Sequence, residues 1–156
     1  MENLERILAE QPFLSGMKPE HIKLLAGCAK NVAFKAGEYL FHEGEAADFF
    51  YFVRQGKIWV ETFIPQKGPV AIQSLKEGEV LGWSWMIPPY KWHFDARAFD
   101  LTRALALDAV CLREKCEKDH DLGYELMSRF ALIFAQRLEA TRLQLMDIYG
   151  NSTKNK

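Results

Sequence analysis

Several features that would narrow the function at once are missing from this 156-residue sequence. No apolar run approaches the roughly 20 residues that a membrane-spanning helix needs. The N-terminal residues 1–6 lack the basic segment and apolar run of a signal peptide. Lys and Arg number 20 against 21 Asp and Glu, so the basic excess of a dedicated nucleic-acid binder is also absent. We therefore expect a cytoplasmic protein with no membrane partner.

Cysteine is scarce, and its spacing is irregular. The three cysteines, Cys28, Cys111 and Cys116, form neither a disulfide framework nor a metal-binding motif. We expect small buried thiols in a reduced cytosolic chain. Without clustered cysteines an iron–sulfur site is excluded, and haem ligation by His42 or His93 is a remote alternative.

Catalytic signatures are absent as well. The sequence contains no G-x-G-x-x-G loop, no Walker-type loop, and neither a Ser-His-Asp nor a Cys-His signature. The acidic residues Glu43, Glu45 and Asp48 share one loop, and a solvated acidic loop explains them. We therefore predict a protein that is not an enzyme, with no catalytic residues and no metal.

The patterns that are present predict a single domain over residues 1–156. Residues 1–29 show helical spacing, and residues 30–108 contain about eight short strands at intervals of 8–12 residues, separated by glycine turns. That strand pattern indicates a sandwich, jelly roll or barrel. Residues 109–149 return to helical spacing, and residues 150–156 are a polar tail that we expect to be disordered. The fold class is α+β, mainly β.

The second C-terminal helix is predicted to be long. It starts near Leu122, after an N-cap within residues 119–121, and Gly150 ends it. Apolar residues recur along it at spacings of three and four for about 28 residues, or some 40 Å. One small β-domain cannot cover that stripe, so we predict a homodimer through a parallel copy of this helix. The stripe consists of Leu122, Leu126, Phe130, Ile133, Phe134, Leu138, Thr141, Leu145 and Ile148.

Residues 78–98 are the most unusual stretch. They hold three of the four tryptophans together with Tyr90, His93 and a Pro-Pro pair. Their flat aromatic faces could stack on a planar ligand, or could fill the core without any ligand. Both alternatives stay open at this point.

Three segments, residues 34–45, 52–58 and 75–82, carry glycines at a spacing that is in register with the predicted strands. Together they resemble the cyclic nucleotide-binding domain of the catabolite activator protein (Crp/Fnr) family. Residues 34–45 (FKAGEYLFHEGE) resemble the family's F-x-x-G-x-x-I/L-x-x-x-G-D/E segment, and residues 52–58 (FVRQGKI) its F-I-I-x-x-G-x-V segment. Residues 75–82 (LKEGEVLG) resemble the run that leads into the phosphate-binding cassette. The resemblance implies an eight-stranded double-stranded β-helix, or jelly roll, with flanking N-terminal helices and a long C-terminal dimerisation helix.

The resemblance breaks in the cassette itself. In nucleotide-binding members a Glu accepts a hydrogen bond from the ribose and an Arg pairs with the cyclic phosphate. Here Trp83 stands at the Glu position, Trp92 at the Arg position and His93 at the Ser/Thr position. Without its charged partner, a desolvated phosphate loses roughly several kcal/mol of binding free energy. We therefore expect no ordinary binding of cAMP or cGMP.

Other residues could still hold a ligand. On the long helix, Arg137 and Thr141 match the segment from which the family presents an Arg to the phosphate region and a Thr to the base, although Thr141 also falls on the dimer seam. Arg97 we expect to pair with Asp95 or a nearby Glu. The candidate ligand-binding residues are Gly82, Trp83, Ser84, Trp85, Trp92, His93, Arg137 and Thr141.

These observations predict a regulatory sensor module with no obligatory cofactor, whose ligand is a cyclic nucleotide or another small planar molecule. The family's regulators carry a C-terminal helix-turn-helix, for which the residues after Gly150 are too few. We therefore expect no DNA-binding domain and a protein partner for the signal. The alternatives are a degenerate domain acting as a structural or interaction dimer, and a genuine cyclic nucleotide binder.

Overall fold

The computed structural model describes residues 3–154. Within that range the chain forms four α-helices and eight β-strands. The helices are α1 (Leu4–Ala9), α2 (Pro19–Ala26), α3 (Ala109–Lys118) and α4 (His120–Lys154), and the strands are β1 (Ala29–Phe34), β2 (Tyr39–Phe41), β3 (Phe49–Gln55), β4 (Ile58–Ile64), β5 (Gly68–Leu75), β6 (Val80–Leu81), β7 (Asp95–Ala98) and β8 (Thr102–Asp108). Short 3₁₀ turns lie at Pro12–Leu14 and Ser84–Met86. The predicted mainly β fold of eight strands flanked by helices is confirmed.

The strands form two antiparallel sheets of four. One has the order β1-β8-β3-β6 and the other β2-β7-β4-β5. Both sheets contribute fully buried apolar side chains to one core, among them Phe50 and Phe52 of β3 and Ile58 of β4. Burying such side chains is the main source of the roll's stability.

The long helix α4 begins where its sequence predicts. The Asp119 carboxylate accepts a hydrogen bond from the backbone N–H of Leu122 at 3.1 Å, which satisfies a free donor of the first turn. Leu122, Leu126 and Phe130 are buried, so the first turns of α4 pack on the domain. From Thr141 to Asn151 every residue is exposed in the single chain.

The predicted end of that helix is wrong. The helix passes through Gly150 and continues to Lys154. Gly150 is not among the glycines with positive φ, so it does not form the left-handed cap that would stop a helix. The expected disordered tail is therefore helical up to Lys154, and its last two residues lie outside the described range.

The expectation of three reduced thiols is also wrong. Cys28 and Cys111 form a disulfide with an S–S distance of 2.03 Å, and Cys116 is the free thiol. The cause is strand pairing: Ala29 at the start of β1 lies opposite Leu107 near the end of β8. Cys28 directly precedes Ala29, and Cys111 lies in the first turn of α3, just after β8. The strand pairing therefore brings the two cysteines together although 83 positions separate them in sequence. Disulfides are rare in the cytosol, and the cytoplasmic location stays a prediction.

The helices within residues 3–154 include the long α4. None of them combines the length and the apolar character that crossing a bilayer requires.

Candidate functional site

The tryptophan-rich stretch forms an irregular segment between β6 and β7. It leaves β6 at Gly82, passes through the 3₁₀ turn Ser84–Met86 and the Pro88-Pro89 pair, and enters β7 at Asp95. Gly82 has a φ of 106°, a conformation that side chains rarely adopt. A Cβ at Gly82 would also lie 2.7 Å from the Trp92 ring. Both the positive φ and the close approach of this ring therefore favour glycine here.

Two of the three tryptophans of this segment fill the core. The Trp92 ring stacks on Phe41 with centroids 3.6 Å apart, and it is 4% exposed. The Trp85 ring stacks on Phe50 at 4.8 Å and is 2% exposed. Neither indole is available as a stacking surface for a ligand in this arrangement. For these two side chains the core-filling alternative of the sequence analysis holds.

Trp83 behaves differently. It is half-buried, lies parallel to the exposed His93 ring at 4.9 Å, and meets Phe134 of α4 edge-on at 5.9 Å. Nδ1 of His93 lies 3.1 Å from the hydroxyl oxygen of Ser84, which is fully buried. This pair fixes the ring that supports Trp83. Trp83 is therefore the tryptophan that the segment presents to α4.

A cavity of about 220 Å³, here called the inner cavity, opens between the roll and α4 beside Trp83. Its walls come from β4, β5, β6, the start of the tryptophan-rich segment, and α4. The lining residues are Val60, Ile72, Gln73, Leu75, Val80, Leu81, Gly82, Trp83, Phe94, Phe130, Ile133 and Arg137. Arg137 is the only charged residue among them. The inner cavity is thus apolar and aromatic, with one cation on its helix side.

A second cavity of about 490 Å³, here called the outer cavity, adjoins the first. The two share the lining residues Gln73, Leu75, Val80, Ile133 and Arg137. The outer cavity is bounded further by Pro12, Phe13, Gly78, Glu79, Arg129, Leu132 and Gln136. Arg129 is engaged there, because its guanidinium donates to the carbonyls of Phe13 and Ser15 and to the Glu125 carboxylate.

Arg137 lines both cavities. Among residues 3–154 no carboxylate lies within 4.0 Å of its guanidinium nitrogens. Partial burial lowers the pKa of Arg137, and the negative charge of Glu79 raises it in part. The side chain carries a positive charge, because a guanidinium is not deprotonated in proteins. It is therefore a half-buried positive charge that an anion could neutralise.

The remaining predicted site residues lie apart from the cavities. Thr141 is exposed on α4, one turn beyond Arg137, and lines neither cavity. Ser84, Trp85, Trp92 and His93 do not line them either. Gly82, Trp83 and Arg137 are the three predicted residues that the fold brings to one cavity.

Arg97 pairs with an acid, as expected, but through Glu61. Its Nε lies 2.7 Å from the Glu61 carboxylate, which is almost fully buried. Asp95 instead accepts a hydrogen bond from the backbone N–H of Glu43 at 2.7 Å. Arg97 is thus engaged away from both cavities, and a direct ligand role for it finds no support.

The fold and these motifs agree with one family. Residues 31–119, more than half of the chain, match the sequence profile described as cyclic nucleotide-binding domain. The chain belongs to the cyclic nucleotide-binding domain family. This finding confirms the resemblance stated from the sequence, whereas the ligand-binding roles of individual residues stay predictions.

Similar proteins of this family are found among solved structures and characterised regulators. A protein of Geobacter metallireducens GS-15, provisionally named a cyclic nucleotide-binding protein, is 27% identical, with a TM-score of 0.77 over 88% of this chain and 99% of its own. A CRP-like cAMP-activated global transcriptional regulator of Mycobacterium tuberculosis is 23% identical over 145 residues, 93% of this chain and 63% of that protein. A cAMP-dependent protein kinase regulatory subunit of Emericella nidulans is 33% identical over 78 residues, 50% of this chain and 18% of that protein. The chain therefore spans less than two thirds of both named regulators.

Sequence reasoning did not anticipate the residues of β4 and β5 that line the inner cavity. Val60 pairs with Gln73 while the next residue, Glu61, pairs with Ala71, so Ile72 is the extra residue of a β-bulge. This bulge lets both Ile72 and Gln73 line the inner cavity, against the alternation of a regular strand. In the sequence, the bulge is marked only by the polar pair Gln73 and Ser74, which interrupts the alternation of an otherwise apolar strand.

Proposed function

We propose that this domain is a non-enzymatic regulatory sensor that binds a small molecule other than cAMP or cGMP between its β-roll and α4. The observation that carries the proposal is the inner cavity, which has Trp83 on the roll side and Arg137 on the helix side. A binding site of this kind has a largely apolar wall and few polar groups, which fix the orientation of the ligand.

The state of Trp92 argues against the usual nucleotide. By resemblance its position is that of the phosphate-binding Arg, yet here it is a stacked and buried ring. A cyclic phosphate at that place would find an indole in a packed core and no cation. The names of the relatives favour cAMP, so cAMP is included in the test below.

The proposed output is a change in α4. Ile133 and Arg137 line the inner cavity, and the same helix continues into a half whose apolar residues are exposed in the single chain. A ligand that favours one position of α4 shifts the population of helix positions by its difference in affinity. We propose that the exposed half pairs with a second copy of the chain, and that the dimer signals to a protein partner.

A second candidate function is a structural or interaction dimer without a ligand. Two observations favour it: Trp85 and Trp92 fill the core, and the inner cavity is smaller than the roughly 300–1,000 Å³ of usual ligand pockets.

The hydrogen-bonded pair of Ser84 and His93 could suggest a catalytic site, but the Ser84 hydroxyl is fully buried and lies away from both cavities. We therefore propose no catalytic function.

Native mass spectrometry of protein purified without added ligand tests both candidates at once, because it reports the number of chains and any retained molecule. Thermal-shift measurements with cAMP, cGMP and a panel of aromatic metabolites complete the test. A retained small molecule, or a shift with a non-nucleotide that Trp83→Ala reduces, supports the sensor. A dimer with neither leaves the structural dimer as the function, and a shift with cAMP at micromolar concentration contradicts our exclusion of it.

A further inference from the structure

The charge of the inner cavity lies on one side only. The roll side, which in the family's pattern carries the anchoring Arg, contributes apolar and aromatic residues here, among them Trp83 and Phe94. The helix side contributes the single charged residue, Arg137. A bound molecule would thus meet aromatic rings on both sides, Trp83 and Phe94 on the roll and Phe130 on α4, but its only ionic contact would be on α4.

Arg137 is the charged residue of the lining and has no carboxylate of residues 3–154 within ion-pair distance, so it is the strongest recognition group of the inner cavity. A guanidinium offers donors in a planar fork that fits a carboxylate, and such charge-assisted hydrogen bonds are stronger than neutral ones. Partial burial enhances the attraction because water screens the pair less. Glu79, which borders the outer cavity, disfavours a second negative charge nearby. The site therefore favours a ligand with one negative charge.

The size of the inner cavity limits the rest of the ligand. An apolar cavity of roughly 150 Å³ accommodates benzene, and this one measures about 220 Å³. One ring with a short chain fits that volume. Among the lining residues only Gln73, Trp83 and Arg137 carry polar side-chain atoms, so a sugar with several hydroxyl groups would lose hydrogen bonds on entering.

We propose that the ligand of the inner cavity is an aryl-alkyl monocarboxylate, whose ring packs against Trp83 and Phe94 where they line the cavity and whose carboxylate binds Arg137. This inference deepens the proposed function and rests on it. The anion of the ligand is held from the helix alone, whereas the family's pattern also places an anchoring Arg in the cassette. Because Arg137 belongs to α4, ligand charge acts directly on the helix that we propose as the output.

Three probes with one skeleton test the charge requirement: 3-phenylpropionate, 3-phenylpropan-1-ol and 3-phenylpropylamine. Their dissociation constants are measured with the full chain by calorimetry, at constant and moderate salt. We expect the carboxylate to bind about tenfold tighter than the alcohol, and the amine to bind most weakly. The affinity for cAMP, measured in the same assay, shows how these probes compare with the ligand named for the relatives.

Two arginines of α4 form a matched pair of variants. Arg137→Gln should abolish the preference for the carboxylate and leave the affinity for the alcohol unchanged. Arg142→Gln, the control, alters a 68% exposed arginine that already pairs with Glu139 and lines neither cavity, so the preference should persist. Equal melting temperatures of the two variants exclude a folding defect.

The outcomes separate this inference from the proposed function. Equal affinity for alcohol and carboxylate overturns the ionic recognition but leaves a small-molecule sensor in place. A carboxylate preference that survives Arg137→Gln overturns the role of Arg137. Failure of all three probes at millimolar concentration overturns the ligand class, while the search for a retained molecule decides the sensor independently.

Discussion

The indole ring of Trp92 lies flat on the phenyl ring of Phe41, with the two planes 2° apart and the ring centroids separated by 3.6 Å. Gly82 passes over the other end of the same indole, close enough that a methyl group there would collide with it. The centre of the tryptophan-rich segment is therefore part of the hydrophobic core. The part of it that lines the inner cavity is confined to Gly82, Trp83 and Phe94.

The two tryptophans should differ in their contribution to stability. Trp92→Ala empties a buried, stacked position, and we expect a loss of about 3–5 kcal/mol in the free energy of unfolding. Trp83→Ala removes a half-buried ring and should cost roughly half as much or less. Urea denaturation of both variants measures the difference. Equal losses would contradict the assignment of Trp92 to the core and Trp83 to the cavity wall.

The same packing makes Gly82 sensitive to the smallest substitution. Gly82→Ala introduces both an unfavourable positive φ and a contact of 2.7 Å with the Trp92 ring. We expect about 2–4 kcal/mol of destabilisation from the two effects combined. Gly44→Ala is the matched control, because Gly44 has a φ of 89° but open space around its Cβ position. It should lose only about 1–2 kcal/mol, and similar values for both glycines would show that the indole can move aside.

Much of the fold follows from local patterns in the sequence. The short strands are separated by glycine turns, and Gly37, Gly44, Gly56 and Gly78 do adopt positive φ, as tight turns require. Asp119 caps α4, as its position before the helical pattern indicates. These features depend on neighbours a few residues apart, which is why one sequence suffices to predict them.

Apart from the end of α4, the features that the sequence did not predict are contacts between distant parts of the chain. The disulfide joins Cys28 and Cys111 across 83 positions, and only the pairing of β1 with β8 brings them together. The different fates of Trp83 and Trp92 depend on whether Phe41 or Phe134 is the neighbouring ring. Local composition marks the segment as unusual but does not contain that information.

Tyr51 should make the fold sensitive to alkali. Burial raises the pKa of Tyr51 from 10.0 to about 12, because the ionised ring would lose its hydration. The stability that its neutral form contributes is complete below pH 10 and is lost as the pH rises from 10 to 12, by about 2–3 kcal/mol in total. Unfolding free energies measured across that range should fall less steeply for Tyr51→Phe. Tyr124→Phe, at a 75% exposed position, should behave like the unsubstituted protein.

The exposed half of α4 should control the number of chains. Leu145 and Ile148 belong to the predicted seam and are 49% and 64% exposed in the single chain. Leu145→Glu combined with Ile148→Glu should halve the mass measured by light scattering, because charges at a parallel helix seam lose their hydration. Leu101→Glu, at an exposed position outside α4, is the control and should keep the mass of the unsubstituted protein. A mass that does not change in the double variant would place the dimer contact elsewhere or rule it out.

Glu79 should limit the affinity for anions at Arg137. Its negative charge raises the pKa of Arg137 and therefore acts on the same space that a ligand carboxylate would occupy. Glu79→Gln should strengthen the binding of 3-phenylpropionate by about two- to fivefold, corresponding to roughly 0.5–1 kcal/mol, and leave the affinity for the alcohol unchanged.

Glu77→Gln is the control for the change in net charge that Glu79→Gln causes, because Glu77 lines neither cavity. The gain should shrink as salt is added, since screening weakens the repulsion that the substitution removes. An equal gain for Glu77→Gln would mean that the overall charge of the domain, and not the neighbourhood of Arg137, sets the preference for anions.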